Sequence, residues 1–425
     1  KNYISSYVYL KTSYSRCSNY DYDYNYSIRF LVNYIFKIKK MHKFNKNFYK
    51  IKYFTFVLSL FFISFFADSN SVLNKLNLPD GFQINIFADK LESPRQIAET
   101  DAGYVITGSK KGDKIYALND ADLDGYAEQR ILVADNLQNP TGVTIYNGDL
   151  YFAEIDTIWI VKKIDDWLNS NSQSLPPKTI YMNDLPSETW HGFKYIDFGP
   201  DGSLYIPIGV PCNICIEPQT NDKRFAAIHK YVDGKLITVA DGVRNSVGFD
   251  WHPVTKKMYF TDNGRDWLGD DSPDCELNVI DAEGSFYGYP YKHANDVIDP
   301  EYGYLIPTLN REIIDPIAEL GPHVAPLGIA FYDQDSFPIK YRNSLFVALH
   351  GSWNRTNKSG YKLVFVQLDN NGNYVSQEDF ITGWLSNESA WGRPVSPFIM
   401  KDGSMLISDD KYNVIYRVSY RGKKN

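Results

Sequence analysis

The chain predicts an all-β fold, a six-bladed β-propeller with four-stranded antiparallel blades, and three observations carry that expectation. A short strand signature recurs six times after a polar turn: Gly103-Tyr104-Val105-Ile106, Gly148-Asp149-Leu150-Tyr151-Phe152, Gly202-Ser203-Leu204-Tyr205-Ile206, Lys257-Met258-Tyr259-Phe260, Ser344-Leu345-Phe346-Val347 and Gly403-Ser404-Met405-Leu406-Ile407. Each signature has an alternating apolar segment before it and another after it, so six units of at least three strands keep one order. No long helical period interrupts them over about 350 residues. Repeats of roughly 40 to 60 residues, each with several short strands, are the mark of a propeller array. A pair of β-sandwiches is the competing architecture, but sandwiches seldom hold one strand order six times.

Taken in order, the segments expected as innermost strands start at Pro94, Pro140, Trp190, Val243, His323 and Gly392, each on a polar or Pro/Gly turn. The third strands are expected at 115–118, 158–161, 228–231, 276–280, 362–368 and 414–418. Phe82 to Phe87 has no unit of its own and is expected to add the outer strand to the last one, pinning the two ends of the ring. The Leu-Tyr position advances by 54 residues from Tyr151 to Tyr205 and again to Tyr259, then by 87 to Phe346. The excess lies between Asn263 and Pro322, and an insertion of that length in a compact domain is usually a functional loop.

Ahead of the propeller, expected at 78–420, residues 1–40 lack a hydrophobic period and read as an upstream or disordered extension. Met41 opens a segment with Lys43, Lys46, Lys50 and Lys52, an apolar run from Tyr53 to Phe66 and small residues from Ala67. That order describes a secretory signal over 41–67 and a periplasmic or secreted protein, with an uncleaved anchor as the alternative. No later segment is apolar enough to span a membrane. Residues 1–67 hold eleven of the 44 basic and two of the 51 acidic side chains, so the remainder has a formal net charge of −16. Such a surface repels phosphate backbones and excludes nucleic acid as an easy partner. In an oxidising compartment Cys212 and Cys215 read as a small disulfide, leaving Cys275 unpaired or pairing with one of the two.

The chemistry is expected where innermost strands begin, because those polar residues face one mouth of the channel. Arg95, His191, Arg244, Asn245, His323 and Arg393 occupy such positions. His191 is the candidate general base, Arg244 a stabiliser of developing negative charge, and Arg393 a bidentate partner for a carboxylate. Any one of them is also compatible with a structural hydrogen bond or ion pair. The stretch from Thr261 to Asn278 is dense in oxygens that suit a hard cation. Asp120-Ala121-Asp122-Leu123-Asp124-Gly125 has the acid alternation of a calcium loop with Gly sixth, but Ile131 stands where a bidentate Glu is wanted, and a solvated turn is the favoured reading.

At these residues the chain resembles the glucose/sorbosone dehydrogenase family, exported six-bladed propellers that use pyrroloquinoline quinone (PQQ) and calcium. The likeness covers about 78–420 and rests on Trp190-His191 with Phe198 to Tyr205, Gly242-Val243-Arg244-Asn245, Thr261 to Asn278, Tyr287-Gly288-Tyr289-Pro290 and His350 to Arg355. The last of these and Gly209 to Cys215 point to the sorbosone dehydrogenase-like branch. The resemblance implies oxidation of a sugar or related alcohol, with His191 taking a hydroxyl proton and hydride passing to the quinone. It implies Arg244 and Asn245 at the quinone carbonyl, Arg393 on a quinone carboxylate and His350 near a cofactor-binding position. It further implies cofactor calcium on the main-chain oxygens of Gly264 and Arg265 beside Asn263, and structural calcium at Glu276 and the Tyr287 carbonyl. Trp190, Cys275, His350 and Trp391 are departures from the family's pattern. No haem motif is present, so electrons would leave to a separate acceptor. Two other readings stand beside this one: a non-catalytic binding propeller, and a metal-dependent hydrolase with His191, His323 and His350 as ligands.

Overall fold

The computed structural model describes residues 72–422 apart from Asn171, and the segment read as a signal lies outside the described residues. Six antiparallel sheets follow one another along the chain. Blade one is Pro94–Glu99, Val105–Ser109, Ile115–Asn119 and Gln129–Ala134, counted from the innermost strand outward. Blade two is Gly142–Tyr146, Asp149–Ala153, Ile158–Val161 and Thr179–Met182. Blade three begins on the two-residue strand Asp197–Phe198 and continues through Leu204–Ile208, Ala227–Val232 and Lys235–Asp241, with Ser285–Phe286 added in parallel at its edge. Blade four runs Phe249–Trp251, Met258–Asp262, Asp274–Val279 and Ala318–Pro322, and blade five Pro326–Phe331, Leu345–Leu349, Lys362–Leu368 and Tyr374–Ile381.

Blade six takes Pro394–Ile399, Met405–Asp409 and Val414–Tyr420 from the C-terminal end and Phe82–Ala88 from the N-terminal end. The closing strand pairs antiparallel, Phe82 opposite Tyr420 and Ile86 opposite Tyr416. This is the expected ring closure, and it removes one pair of free edges. Two expectations shift: Trp190 to Tyr195 is not a strand, and the innermost strand of blade four starts at Phe249.

Alternation along each strand sends apolar side chains to both blade faces, so the core is a series of layers between neighbouring blades. Ile106, Val143, Leu150 and Phe152 fill the layer between blades one and two. Tyr332, Tyr341, Phe346, Phe365, Phe380 and Trp384 form the aromatic layer near the closure. Around the channel the blades approach closely enough that glycine is required. A Cβ on Gly248 would lie 2.1 Å from the Leu327 carbonyl oxygen, and one on Gly328 would lie 2.7 Å from Ser396 Cα. Buried polar groups stitch the same wall: Gln96 Nε2 donates to Ile196 O at 2.8 Å, while its Oε1 accepts from the Val143 and Ile196 amides at 3.1 Å. One residue of blade one thereby satisfies backbone groups of blades two and three.

The insertion between blade four's third and fourth strands contains the small hairpin Lys292–His293 with Val297–Ile298 and the 3₁₀ turn Gly303–Thr308. Its polar centre is Asp299, which accepts from Arg265 Nη1 at 2.5 Å and pairs with His293 Nε2 at 3.0 Å. No helix among the described residues is long and apolar enough to cross a membrane.

Candidate functional site

Antiparallel order puts the start of each innermost strand and the end of each second strand at the same mouth. The residues just past the second strands are Lys110, Glu154, Gly209, Asn263, His350 and Asp410. Two of these, Asn263 and His350, are expected site residues.

On blades three and four the centre is His191, in a loop six residues ahead of its strand. Its φ is 54°, a left-handed conformation that a non-glycine residue adopts at a cost and that concentrates at functional sites. The indole Nε1–H of Trp190 donates to His191 Nε2 at 3.1 Å, so the ring proton sits on Nδ1 and faces the Val210 carbonyl oxygen at 2.7 Å. Burial, reinforced by the Arg244 guanidinium, pushes the imidazole down to about 3. His191 is therefore neutral at ordinary pH, with its only lone pair directed at an indole that is 55% exposed.

Arg244 is buried and held on three sides. Nε donates to Asn213 O at 2.9 Å, Nη1 to Asn263 O at 3.0 Å and Nη2 to Asn213 Oδ1 at 2.8 Å, with Asp266 Oδ2 at 3.5 Å. Asp262 accepts from the Arg244 and Asn245 amides at 2.8 and 2.7 Å, which fixes the backbone of both. Burial raises the Asp262 carboxyl to about 6. Asn263 donates through Nδ2 to the Asn245 and Pro326 carbonyls at 3.0 Å, joining blade four to blade five. Asn213 lies inside the Cys212–Cys215 disulfide, while Cys275 is free and buried. The disulfide thus steadies the residue that steadies Arg244.

A second cluster forms on blades one, five and six. Asp410 pairs with Arg95 at 2.8 Å and Lys110 at 3.5 Å, and its other oxygen faces His350 Nε2 at 2.8 Å. Burial pushes His350 down to about 4. Burial alone would raise the Asp410 carboxyl, yet His350, Arg95 and Lys110 hold it well below the carboxylate range. Arg393 donates through Nε to His350 O at 3.0 Å and through Nη2 to Gly351 O, with its guanidinium 5.5 Å above the Tyr361 ring. Lys110 is lowered by burial and by Arg95 and Arg393. Three cations around one carboxylate leave a local excess of positive charge. It opens into a cleft of about 600 Å³ lined by five cations, among them Lys110, Lys111 and Arg393, and by the three carboxylates of Glu92, Asp113 and Asp410.

Exposed indoles stand at the rim. Trp267 and Trp353 meet edge to face at 5.6 Å, and Asn354 reaches Asp266 Oδ1 at 3.5 Å. Arg265 turns its side chain away, to Asp299 and Glu301. Glu276 is buried, accepting from the Ala294 amide at 2.7 Å and Asn278 Nδ2 at 2.9 Å, and burial with Asp262 nearby raises it to about 8. Tyr287 donates its hydroxyl to Val279 O at 2.7 Å.

The expected convergence of six polar positions resolves into these two clusters, and His323 instead faces Gly269 O at 2.7 Å. The three-histidine metal site of the hydrolase reading does not form. His191, His323 and His350 each engage a different partner, and among the described residues the groups of His, Cys, Asp and Glu close enough to share an ion do not include them. Asn213 and Asp410 were assigned no role, and Asp262 and Asp266 were read only as oxygens of the Thr261 to Asn278 stretch, although Asp262 and Asp410 occupy the same place after the repeated signature as Asn263 and His350 within one residue.

The family described as TrAA12-like matches residues 308–421. Among solved structures, the calcium form of a Trichoderma reesei family AA12 carbohydrate-active enzyme superposes with a TM-score of 0.67 at 20% identity, over 81% of this chain and 97% of that one. The holo form of the PQQ domain of pyranose dehydrogenase from Coprinopsis cinerea gives 0.67 at 18% identity over the same shares. An uncharacterized protein of Borreliella burgdorferi is 34% identical over 394 residues, 88% of this chain and 99% of its own length. With that identity across almost the whole of its relative, the chain belongs to the same family as the Borreliella protein, and its C-terminal part matches the TrAA12-like model.

Proposed function

We propose that the protein is an oxidoreductase that oxidises a sugar or related alcohol at the mouth of the channel, with PQQ and calcium as cofactors. The observation that carries this is His191, a partly buried neutral imidazole with its proton fixed on Nδ1 and Nε2 free to accept once the exposed Trp190 indole moves aside. A group of that kind accepts a hydroxyl proton without first having to lose one of its own. Bound at the mouth, PQQ would supply the two-electron acceptor for the substrate's hydride.

The donor set fits an anionic quinone. Arg95, Lys110 and Arg393 exceed the charge of Asp410 on one side, and Arg244 stands beside His191 on the other. Arg393 and Lys110 would hold carboxylates, His350 would present Arg393 through its carbonyl, and Arg244 with Asn245 would face the quinone oxygens. Main-chain oxygens of Gly264 and Arg265, beside Asn263, are the proposed holders of cofactor calcium, and Glu276 with the Tyr287 carbonyl those of a structural ion. Trp267 and Trp353 offer apolar faces at the rim, which suits the C–H face of a pyranose. The signal-like segment from Met41 and the Cys212–Cys215 bond support export, and a separate acceptor would collect the electrons.

Purified protein loaded with PQQ and Ca²⁺ is expected to reduce a redox dye with aldoses. His191→Ala is expected to lower the rate by about 10²- to 10⁴-fold while retaining the quinone. Absence of quinone binding in calorimetry would remove the proposal.

A further inference from the structure

The alternating acids of blade one, favoured as a turn on sequence, converge in the fold. One ligand oxygen from each of Asp120, Asp122, Asp124 and Glu128 lies within 4.8 Å of the others. Glu128, ninth in the loop, brings the carboxylate that Ile131 does not. Gly125, sixth, has φ 98°, the turn that lets the chain fold around a central point.

The second observation is Asp120 itself. Its side chain is 9% exposed, and Oδ2 accepts from the Gly125 amide at 2.9 Å and from Arg417 Nη1 at 3.2 Å. Oδ1 is buried and has no hydrogen-bond partner. A buried carboxylate oxygen without a donor calls for an explanation, and a cation is one of the few that also accounts for three more carboxylates at this range. Arg417 is the cation facing Asp120, and it is shared with Asp402 and Ser404.

We propose that this loop is a calcium site, separate from the channel mouth and independent of the proposed activity. Four carboxylates on a loop of this register are hard oxygen donors of the kind Ca²⁺ prefers, and water or main-chain carbonyls complete six to eight ligands. The site sits on the seam of the ring. Tyr126 donates to Asp89 Oδ1 at 3.0 Å, the Ala127 amide to Phe87 O at 2.7 Å, and Arg130 to the Asp89 and Lys90 carbonyls at 2.5 and 3.1 Å. Asp120 reaches Arg417 on the strand that pairs with Phe82–Ala88. Calcium there ties blade one to both strands that close the propeller.

The test compares chelator-treated wild type with Asp122→Asn/Asp124→Asn, whose side chains are exposed, by calorimetric titration with Ca²⁺ and by thermal melting. Affinity on the order of 10⁻⁴ to 10⁻³ M is expected for an extracellular module. Wild type should bind one more calcium per chain than the double variant and show a calcium-dependent rise in Tm that the variant lacks. Terbium should emit when the loop tyrosine is excited, and lose that emission in Tyr126→Phe. Equal calcium counts and equal Tm responses in wild type and variant overturn the proposal, as does terbium emission that Tyr126→Phe and the double variant leave unchanged.

Discussion

At the scale of single residues, the partly buried His191 and the buried His350 make the protein sensitive to acid in a defined direction. His191 and His350 are held at about 3 and about 4, below the ordinary histidine value near 6.5. Between those limits the unfolded chain binds protons that the folded one refuses, so stability is complete above about pH 6.5 and falls as pH drops toward 4. Chemical-denaturation midpoints measured across that window should decline steadily, and His350→Gln should flatten part of the slope. In the proposed oxidation, the same shift at His191 is expected to place the acid limb of kcat/KM well below pH 6.5. Asp410 is the other residue on which much depends. Asp410→Asn leaves Arg95, Lys110 and His350 around a neutral amide, and loss of about 3–5 kcal/mol is expected in urea unfolding.

Elements explain which parts of the site could be read from sequence. The repeat of second strands was visible because a run of apolar residues after a polar turn survives in every blade, and the closing strand was visible because Phe82–Ala88 alternates without a partner nearby. The innermost strands were displaced by several residues at blades three and four. There the polar residues sit in loops whose φ values, as at His191, come from tertiary contacts that no propensity encodes. Asp410 escaped notice, and Asp262 was read only as part of an oxygen-rich stretch, for a related reason: comparing only the starts of innermost strands ignores the ends of their antiparallel neighbours, which reach the same mouth. The Cys212–Cys215 loop is short enough to read directly, and its role is local. Closing so small a loop is worth about 2 kcal/mol in the chain-entropy account. Cys212→Ser/Cys215→Ser should therefore lower Tm modestly while reducing catalysis more, because Asn213 then no longer holds Arg244 rigidly.

For the whole molecule, the channel wall governs. Gly248 and Gly328 mark where neighbouring blades nearly touch, and a methyl group at Gly248 meets a carbonyl oxygen that cannot retreat without moving blade five. Gly248→Ala should cost about 1–3 kcal/mol or more and broaden the melting transition, whereas Gly148→Ala, with open space around its Cβ position, tests the strain of its φ of 76° alone. Differential scanning calorimetry separates the two.

The closing strand also imposes an order in time. Phe82–Ala88 leaves the ribosome among the first parts of the propeller, and its partner Val414–Tyr420 among the last. Until the final blade emerges, the first strand has no edge to join, and its aromatic contacts, Phe82 against Phe337, Tyr341 and Phe380, wait for blade five. A propeller of this design cannot finish folding while it is still being made. The delay keeps the chain extensible until synthesis ends, a property that suits the export proposed for it.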